Sequence, residues 1–343
     1  MKIPKHILCL PAAVLLTLSL FSCESDIEYK GSEAEPKAVI YALLHPDSLI
    51  AVSVAESHSV FQSRYQTRQI TDAVVRILRD GELLEILTYV APQQVPDYGQ
   101  PTPYSRYVSA GNKPEYGRTY RIEVDVPGLP GVYGEAVLPA PVQVAVADTS
   151  SRDIGNGYRE LVIKMRFRDP AGEKNYYRFS ATGVKGNYYG DRNEPFNPFT
   201  PVNIQWSDLS YGSLSDPLIA PQQEDDIFDM YLQNAYFLFQ DELIPGREYS
   251  LKLTYNGIYP DTEYYEFLRA CFRLNSITRD LYLHLQSYSA HTQARDNFLA
   301  EPVPVYTNVT NGLGVVGAMS TTSDSLKIGE YPVEGVTYEI RPY

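Results

Sequence analysis

Ala73-Val74-Val75-Arg76-Ile77-Leu78-Arg79-Asp80-Gly81-Glu82-Leu83-Leu84-Glu85-Ile86-Leu87-Thr88-Tyr89-Val90 is the stretch that decides the fold class. Val75, Ile77 and Leu83 flank Asp80-Gly81, a pair in which both central residues tolerate positive φ. Two apolar arms around such a turn form a β-hairpin, and the neighbouring sequence repeats the theme. Ala38 to Leu44 and Ile50 to Ala55 read as strands around the turn His45-Pro46-Asp47-Ser48. Tyr120, Ile122, Val124 and Val126 alternate with polar residues up to Pro127-Gly128, and Val132 to Leu138 follows before Pro139 and Pro141. Short strands at regular spacing, punctuated by Gly and Pro, predict an immunoglobulin-like β-sandwich over residues 36–142.

Beyond it, Leu161 to Phe167 and Tyr177 to Ala181 alternate around Asp169-Pro170-Ala171-Gly172, and Ala235 to Phe239 and Tyr249 to Tyr255 flank Pro245-Gly246. Residues 186–226 read as a long irregular segment, of the kind that often carries function. One long helix is expected from about Thr262 to Ser289, capped by Asp261 or Thr262. Phe267, Cys271, Leu274, Leu281, Leu285 and Tyr288 recur there at three- and four-residue spacing. The tail returns to β at Val303–Tyr306, Leu313–Met319 and Tyr338–Ile340. The fold class is therefore mainly β. The sandwich at 36–142 is followed by a second β-rich domain at 143–343, carrying a helix near 262–289. Two domains suit a chain of 343 residues.

The N-terminus carries an address. Lys2 and Lys5 precede an apolar run from Ile7 to Phe21, which ends Leu20-Phe21-Ser22-Cys23. A basic start, an apolar run and a small residue before cysteine make up a lipoprotein signal peptide. The run is about 15 residues, short of the about 20 that a membrane span needs. Residues 1–22 are expected to be the signal, Cys23 the lipidated first residue, and 23–35 an acidic tether with Glu24, Asp26 and Glu28. That places the chain on the outer membrane by a covalent lipid. Acidic residues directly behind the cysteine resemble the signal that carries Bacteroidota lipoproteins to the cell surface; the periplasmic face is the alternative.

Composition narrows the classes. Hydrophobic residues make up 44%, enough for packed cores, and the formal net charge is −13. No basic face is visible, so a nucleic-acid partner is not expected. Cys9 leaves with the signal and Cys23 takes the lipid, so Cys271 has no partner for a disulfide and reads as a buried small apolar residue. Tyrosine is abundant, at 29 against 12 Phe and one Trp. It suits half-buried strands foremost, and also sugar- or peptide-binding surfaces.

No chemistry-bearing motif stands out. His6, His45, His58, His284 and His291 are scattered, and the last two, two helical turns apart, are expected on the helix surface. Zinc spacings are absent. Glu224-Asp225-Asp226 with Asp229 reads as an acidic surface loop, not a calcium loop, which would need a central Gly. No metal, and no cofactor besides the lipid, is expected. Nucleophile-elbow, phosphate-loop and dinucleotide patterns are missing, so no catalytic residue is assigned. A hydrolase whose carboxylates meet only in space is the least favoured alternative. Aromatics on 186–211 (Tyr188, Tyr189, Phe196, Phe199, Trp206 and Tyr211) could stack on a ligand, and Tyr188, Tyr189, Trp206 and Tyr211 are the candidate binding residues. Asp47-Ser48-Leu49 and Asp324-Ser325-Leu326 resemble the Asp-Ser/Thr-apolar O-glycosylation signal of Bacteroidota, making Ser48 and Ser325 candidate sites on exposed loops.

Arg295-Asp296-Asn297, Glu301-Pro302-Val303, Val305-Tyr306-Thr307-Asn308 and Asn311-Gly312-Leu313-Gly314-Val315-Val316-Gly317-Ala318 follow one another in the tail. This run resembles the closing signature of a Bacteroidota lipoprotein family, domain-of-unknown-function family four-two-four-nine. Lys37 to Ile40, Asp80-Gly81, Gly117-Arg118-Thr119-Tyr120, Asp169-Pro170-Ala171-Gly172-Glu173 with Tyr176-Tyr177, and Asp241 to Gly246 match in order. The resemblance implies an outer-membrane lipoprotein often encoded beside a TonB-dependent transporter, and supplies no catalytic residues. Read physically, Gly312, Gly314 and Gly317 permit a tight turn or a close strand approach, and Asn308 and Asn311 cap local turns. The expected function is an accessory or binding subunit of an outer-membrane β-barrel, such as a TonB-dependent transporter or an assembly complex. The alternative is an independent glycan- or peptide-binding surface lipoprotein.

Overall fold

The Asp80-Gly81 hairpin forms as its sequence dictates. β3 (Val74–Arg79) pairs antiparallel with β4 (Glu82–Ile86), and Asp80 and Gly81 turn the chain at φ 52° and 88°. The computed structural model describes residues 35–58, 70–91, 105–155, 158–188, 204–220, 234–256, 265–295 and 301–328. β1 (Ala38–Leu44), β2 (Ala51–Glu56), β5 (Thr88–Val90) and β6 (Ser105–Val108) form one sheet in the order β1-β2-β6-β5. β7 (Thr119–Asp125) and β8 (Val132–Val137) extend the hairpin into a second, ordered β4-β3-β7-β8. Ile40, Val52 and Val54 of one sheet and Val75, Ile77, Ile122 and Val124 of the other are buried in one core. The first half is thus two four-stranded arrays facing one shared core.

The second half repeats the two-sheet principle. β9 (Val144–Gly155), β10 (Tyr158–Arg168) and β14 (Glu248–Asn256) form a three-stranded sheet. It covers β11 (Tyr176–Tyr188) and β15 (Tyr265–Ile277), with Ile163, Met165, Leu253, Phe179 and Phe272 in a second core. β12 (Ile204–Asp208) and β13 (Leu238–Gln240) both pair with β11.

The last described strand joins the halves. β16 (Leu313–Ile328) pairs in parallel with β1 over residues 313–318 and antiparallel with β15 over 319–328. One nine-stranded sheet therefore runs through the molecule. The first core contains Leu138 and the second Val142, yet Val316 and Ala318 enter the first while Leu326 packs on the second. On the opposite face lies α1 (Arg279–Arg295), where Leu281 and Tyr282 pack with Ile277 and Met319. The order of layers is helix, long sheet, two small sheets.

Several expectations need correction. The helix does not begin near Thr262: Tyr265–Ile277 is a strand, and the helix is Arg279–Arg295. Ala270, Phe272 and Leu274 are buried and alternate with half-buried Cys271 and Arg273, which is period two. Phe267, Cys271 and Leu274 satisfy a four-three spacing as well, so the shorter repeat was masked. Thr278 starts the true helix: its carbonyl accepts the Tyr282 N–H at 3.0 Å, and its hydroxyl lies 3.4 Å from the Leu281 N–H. Residues 303–306 are not a strand, and Ala235–Phe237 lies outside β13. The 186–226 segment is partly regular, through the end of β11, β12 and a 3-10 turn at Ser210–Ser215. β9 had no counterpart in the sequence reading, because its outer part, from Asp148, is polar and exposed on both faces. Tyr338–Ile340 lies outside the described residues.

Candidate functional site

The sequence candidates do not converge on one site. Cys23, Tyr189, Phe196, Phe199 and the 224–229 acidic run lie outside the described residues. Tyr188 ends β11, and Trp206 sits in β12 opposite Val184. Tyr211, 64% exposed, packs edge-on against Phe237 at 5.3 Å. Ser48 is exposed in the predicted turn, its N–H bonded to the His45 carbonyl at 3.1 Å. Ser325 is also exposed, but on β16 opposite Cys271 and not on a loop. Cys271 is half-buried, because its parity turns it away from the core that Phe272 enters. Among the described residues no three His, Cys, Asp or Glu side chains converge as metal ligands.

His284 departs most from expectation. It is buried, and its Nδ1 lies 2.7 Å from the Tyr306 carbonyl. His291 makes the same bond to the Val303 carbonyl at 2.7 Å. Between them, the Ser287 hydroxyl accepts the Tyr306 N–H at 2.8 Å, and one turn earlier Asp280 accepts the Tyr306 hydroxyl at 2.6 Å. Asp280, His284, Ser287 and His291 follow helical spacing, so one polar stripe of α1 holds the strap 303–306. Burial lowers the His284 pKa, and the carbonyl bond offsets part of that.

A cavity of about 240 Å³ opens on the other flank of α1. Its floor is the outer face of β13, with Leu238 and Gln240. Tyr282, Gln286 and Ser289 of α1 form one wall, and Leu218, Asn234 and Tyr236 the other. Asn234 is structural: its Oδ1 accepts the Leu238 N–H at 2.8 Å and its Nδ2 donates to the Leu238 carbonyl at 2.7 Å. Glu242 at the rim is paired with Lys174 at 2.6 Å. Burial raises the Tyr282 and Tyr236 hydroxyl pKa values, so both stay protonated donors at neutral pH. Arg178 of β11 lies in register with Leu238, and its guanidinium carbon is 5.7 Å from the Tyr236 ring centre. No pattern in the sequence pointed to this cavity, since its residues come from three separate segments.

The strings that carried the family resemblance meet in space as scaffold. Asp80 accepts from the Thr119 N–H and the Arg118 guanidinium, each at 3.0 Å, tying Asp80-Gly81 to Gly117–Tyr120. Buried Asp169 accepts the Gly246 N–H at 2.7 Å and the Tyr177 hydroxyl at 2.6 Å, while Asp241 accepts the Asn175 N–H at 2.9 Å. Asn308 takes the place of a missing strand, its side-chain amide bonding the Val316 N–H and carbonyl at 2.9 and 2.8 Å. Gly314, at φ 102°, lies against Ile40, where a Cβ would overlap the Ile40 carbonyl oxygen. Asn311 adopts a left-handed turn at φ 61°. The glycines and Asn311 therefore keep the structural roles expected of the tail, whereas Asn308 caps no local turn and instead bonds Val316, eight residues on.

No curated protein matches this sequence. One family does, a domain of unknown function aligned over residues 24–325, which takes in both halves of the molecule and the tail. The chain belongs to the DUF4249 family.

Proposed function

We propose that this chain is a lipid-anchored, non-enzymatic binding subunit of the outer membrane, held by a lipid on Cys23 and displayed at the cell surface. It docks on an outer-membrane β-barrel such as a TonB-dependent transporter or an assembly complex. The observation that carries the reading is the outer face of β1 and β16. Leu43 and Leu313 are 47% and 38% exposed there, beside the Tyr41 ring, which meets His284 edge-on at 5.8 Å. Apolar side chains of that size grouped on one sheet face mark interaction surfaces. β1 begins directly after the 23–35 tether, which reaches at most about 45 Å when extended, so the patch stays near the bilayer. The test is an affinity pull-down of the native lipoprotein from its own outer membrane, read by mass spectrometry. A large barrel is expected in stoichiometric amount, and lost on replacing Leu43 and Leu313 together by Glu. Recovery of the protein alone, also after crosslinking, refutes the docking.

The cavity beneath α1 favours a second reading, independent capture of a glycan or peptide. Tyr236, Tyr282 and Gln240 bring rings and hydrogen-bonding groups to one small concavity. The aromatic residues Tyr188, Tyr189, Trp206 and Tyr211 are tested beside it: replacing Tyr189 and Trp206 by Ala removes ligand binding if they stack on the ligand. A screen on polysaccharide and peptide substrates tests the hydrolase alternative.

A further inference from the structure

The cavity beneath α1 is polar without being charged. Tyr282, Gln286, Ser289 and Gln293 line it at helical spacing, as one stripe of the helix. Gln240 of β13 and Tyr236 just before that strand line it as well. Among the described residues that line it, Glu242 alone is charged, and Lys174 holds its carboxylate at 2.6 Å. Some of the polar groups are engaged: Gln293 donates to the Ser289 hydroxyl at 2.8 Å. The side chains of Tyr236, Gln240, Tyr282 and Gln286 enter no hydrogen bond among the described residues. Tyr282 is 9% exposed, yet its hydroxyl is not sealed from solvent, so the cavity is the outlet left to it. A hydroxyl drawn out of water without a partner is costly, and a ligand in the cavity would supply one. A peptide strand is a poor match. It would add to a free sheet edge through main-chain bonds, and at Leu238 the Asn234 amide already holds both the N–H and the carbonyl.

We infer that this cavity takes one neutral sugar ring, its hydroxyls bonded by Gln240, Gln286 and Tyr282 and its apolar face laid on the Tyr236 ring. The inference rests on reading the cavity as a binding site, and narrows its ligand from glycan or peptide to a single uncharged saccharide unit. A side-chain amide sets a donor beside an acceptor, and a phenolic hydroxyl is both. Neighbouring sugar hydroxyls, each donor and acceptor, need that pairing. Tyrosine adds an apolar ring face beside its polar tip. A sugar acid would meet the Glu242 carboxylate and no cation among the described lining residues. At about 240 Å³ the space falls below the about 300–1,000 Å³ of drug-sized sites, so it holds one ring and not a chain of them.

The test is calorimetric titration of the full-length protein with the methyl glycosides of glucose, galactose, mannose and N-acetylglucosamine. Glucuronate and a capped di-alanine are the anionic and peptide comparisons. At least one glycoside is expected to bind about tenfold or more tighter than either comparison. Tyr282→Phe and Gln286→Ala should each weaken it about 5- to 20-fold. Tyr282→Phe carries a second readout. Its thermal midpoint should hold or rise while affinity falls, because the hydroxyl it removes has no partner among the described residues. A midpoint that drops shows the hydroxyl bonded within the protein and overturns its role. Ala290→Trp, placed to fill the cavity, separates the inference from the reading beneath it. Glycoside binding that Ala290→Trp abolishes but Tyr282→Phe and Gln286→Ala leave unchanged refutes the assigned contacts and keeps the cavity as a site. Glucuronate or di-alanine binding as tightly as the best glycoside, and lost in Ala290→Trp, refutes the neutral sugar and also keeps the site. Binding that survives Ala290→Trp lies elsewhere, and both readings fall. They fall as well if no probe binds tighter than about 10 mM.

Discussion

Replacing Gly314 by Ala should open the seam that joins the two halves. Gly314 faces Ile40 in the parallel β1–β16 pair at φ 102°. Two effects add there. A non-glycine residue at that φ costs about 1–3 kcal/mol wherever it sits. The new Cβ would also overlap the Ile40 carbonyl oxygen, with the Ile40 carbonyl carbon at 2.9 Å and its nitrogen at 3.1 Å. These are backbone atoms of a central strand and cannot rotate away, so the pair must part and lose ladder bonds worth about 1 kcal/mol each. The sum is about 3–5 kcal/mol, a large share of the about 5–15 kcal/mol that holds a domain together. Gly172 is the control: its φ is 98° and nothing lies within 4 Å of its added Cβ. Gly172→Ala should therefore show the conformational part alone. Urea unfolding of the mature chain, followed by far-ultraviolet circular dichroism, measures both. The reasoning is refuted if Gly314→Ala loses no more stability than Gly172→Ala.

Asp169→Ala removes the acceptor of the buried Tyr177 hydroxyl and of the part-buried Gly246 N–H, and should cost about 2–4 kcal/mol in urea unfolding. Tyr177→Phe should cost less, and a double-mutant cycle giving no coupling would show that the pair is not one unit. Asn308→Ala leaves the Val316 N–H and carbonyl without their side-chain partner; a loss of about 1–3 kcal/mol is expected, and an unchanged midpoint would contradict the strand-mimic role. His284 sets a pH dependence. Burial lowers its folded pKa below the ordinary 6.5, so the unfolded chain takes up the proton first. Stability should fall as pH drops through about 6.5 toward the folded value, and be regained above it. His284→Gln should flatten that part of the profile, and an unchanged slope in the variant would assign it to other groups.

Much of the first half was legible in its residues. Strict alternation in β7 and the Asp80-Gly81 pair left few alternatives, because a strand with one buried face must alternate. β15 shows where that logic fails. Its apolar residues fit period two and a four-three spacing at once, and only its pairing with β11 and β16 shows which governs. His284 looked like a surface residue because no local signal places a carbonyl strap over a helix. The cavity was invisible for the same reason: it depends on which distant segments pack beside β13.

The sequence by itself determined the β class, the hairpin, the turn residues and the glycine-rich tail, each of which follows from φ preferences and side-chain alternation within a few residues. It also carried the acidic balance and the family strings. Only the tertiary structure decided that β16 runs through both halves, that the helix begins at Arg279, and that His284 is buried under the 303–306 strap. Those outcomes depend on contacts between residues far apart in the chain, where strand register and desolvation are set by neighbours that no local pattern names.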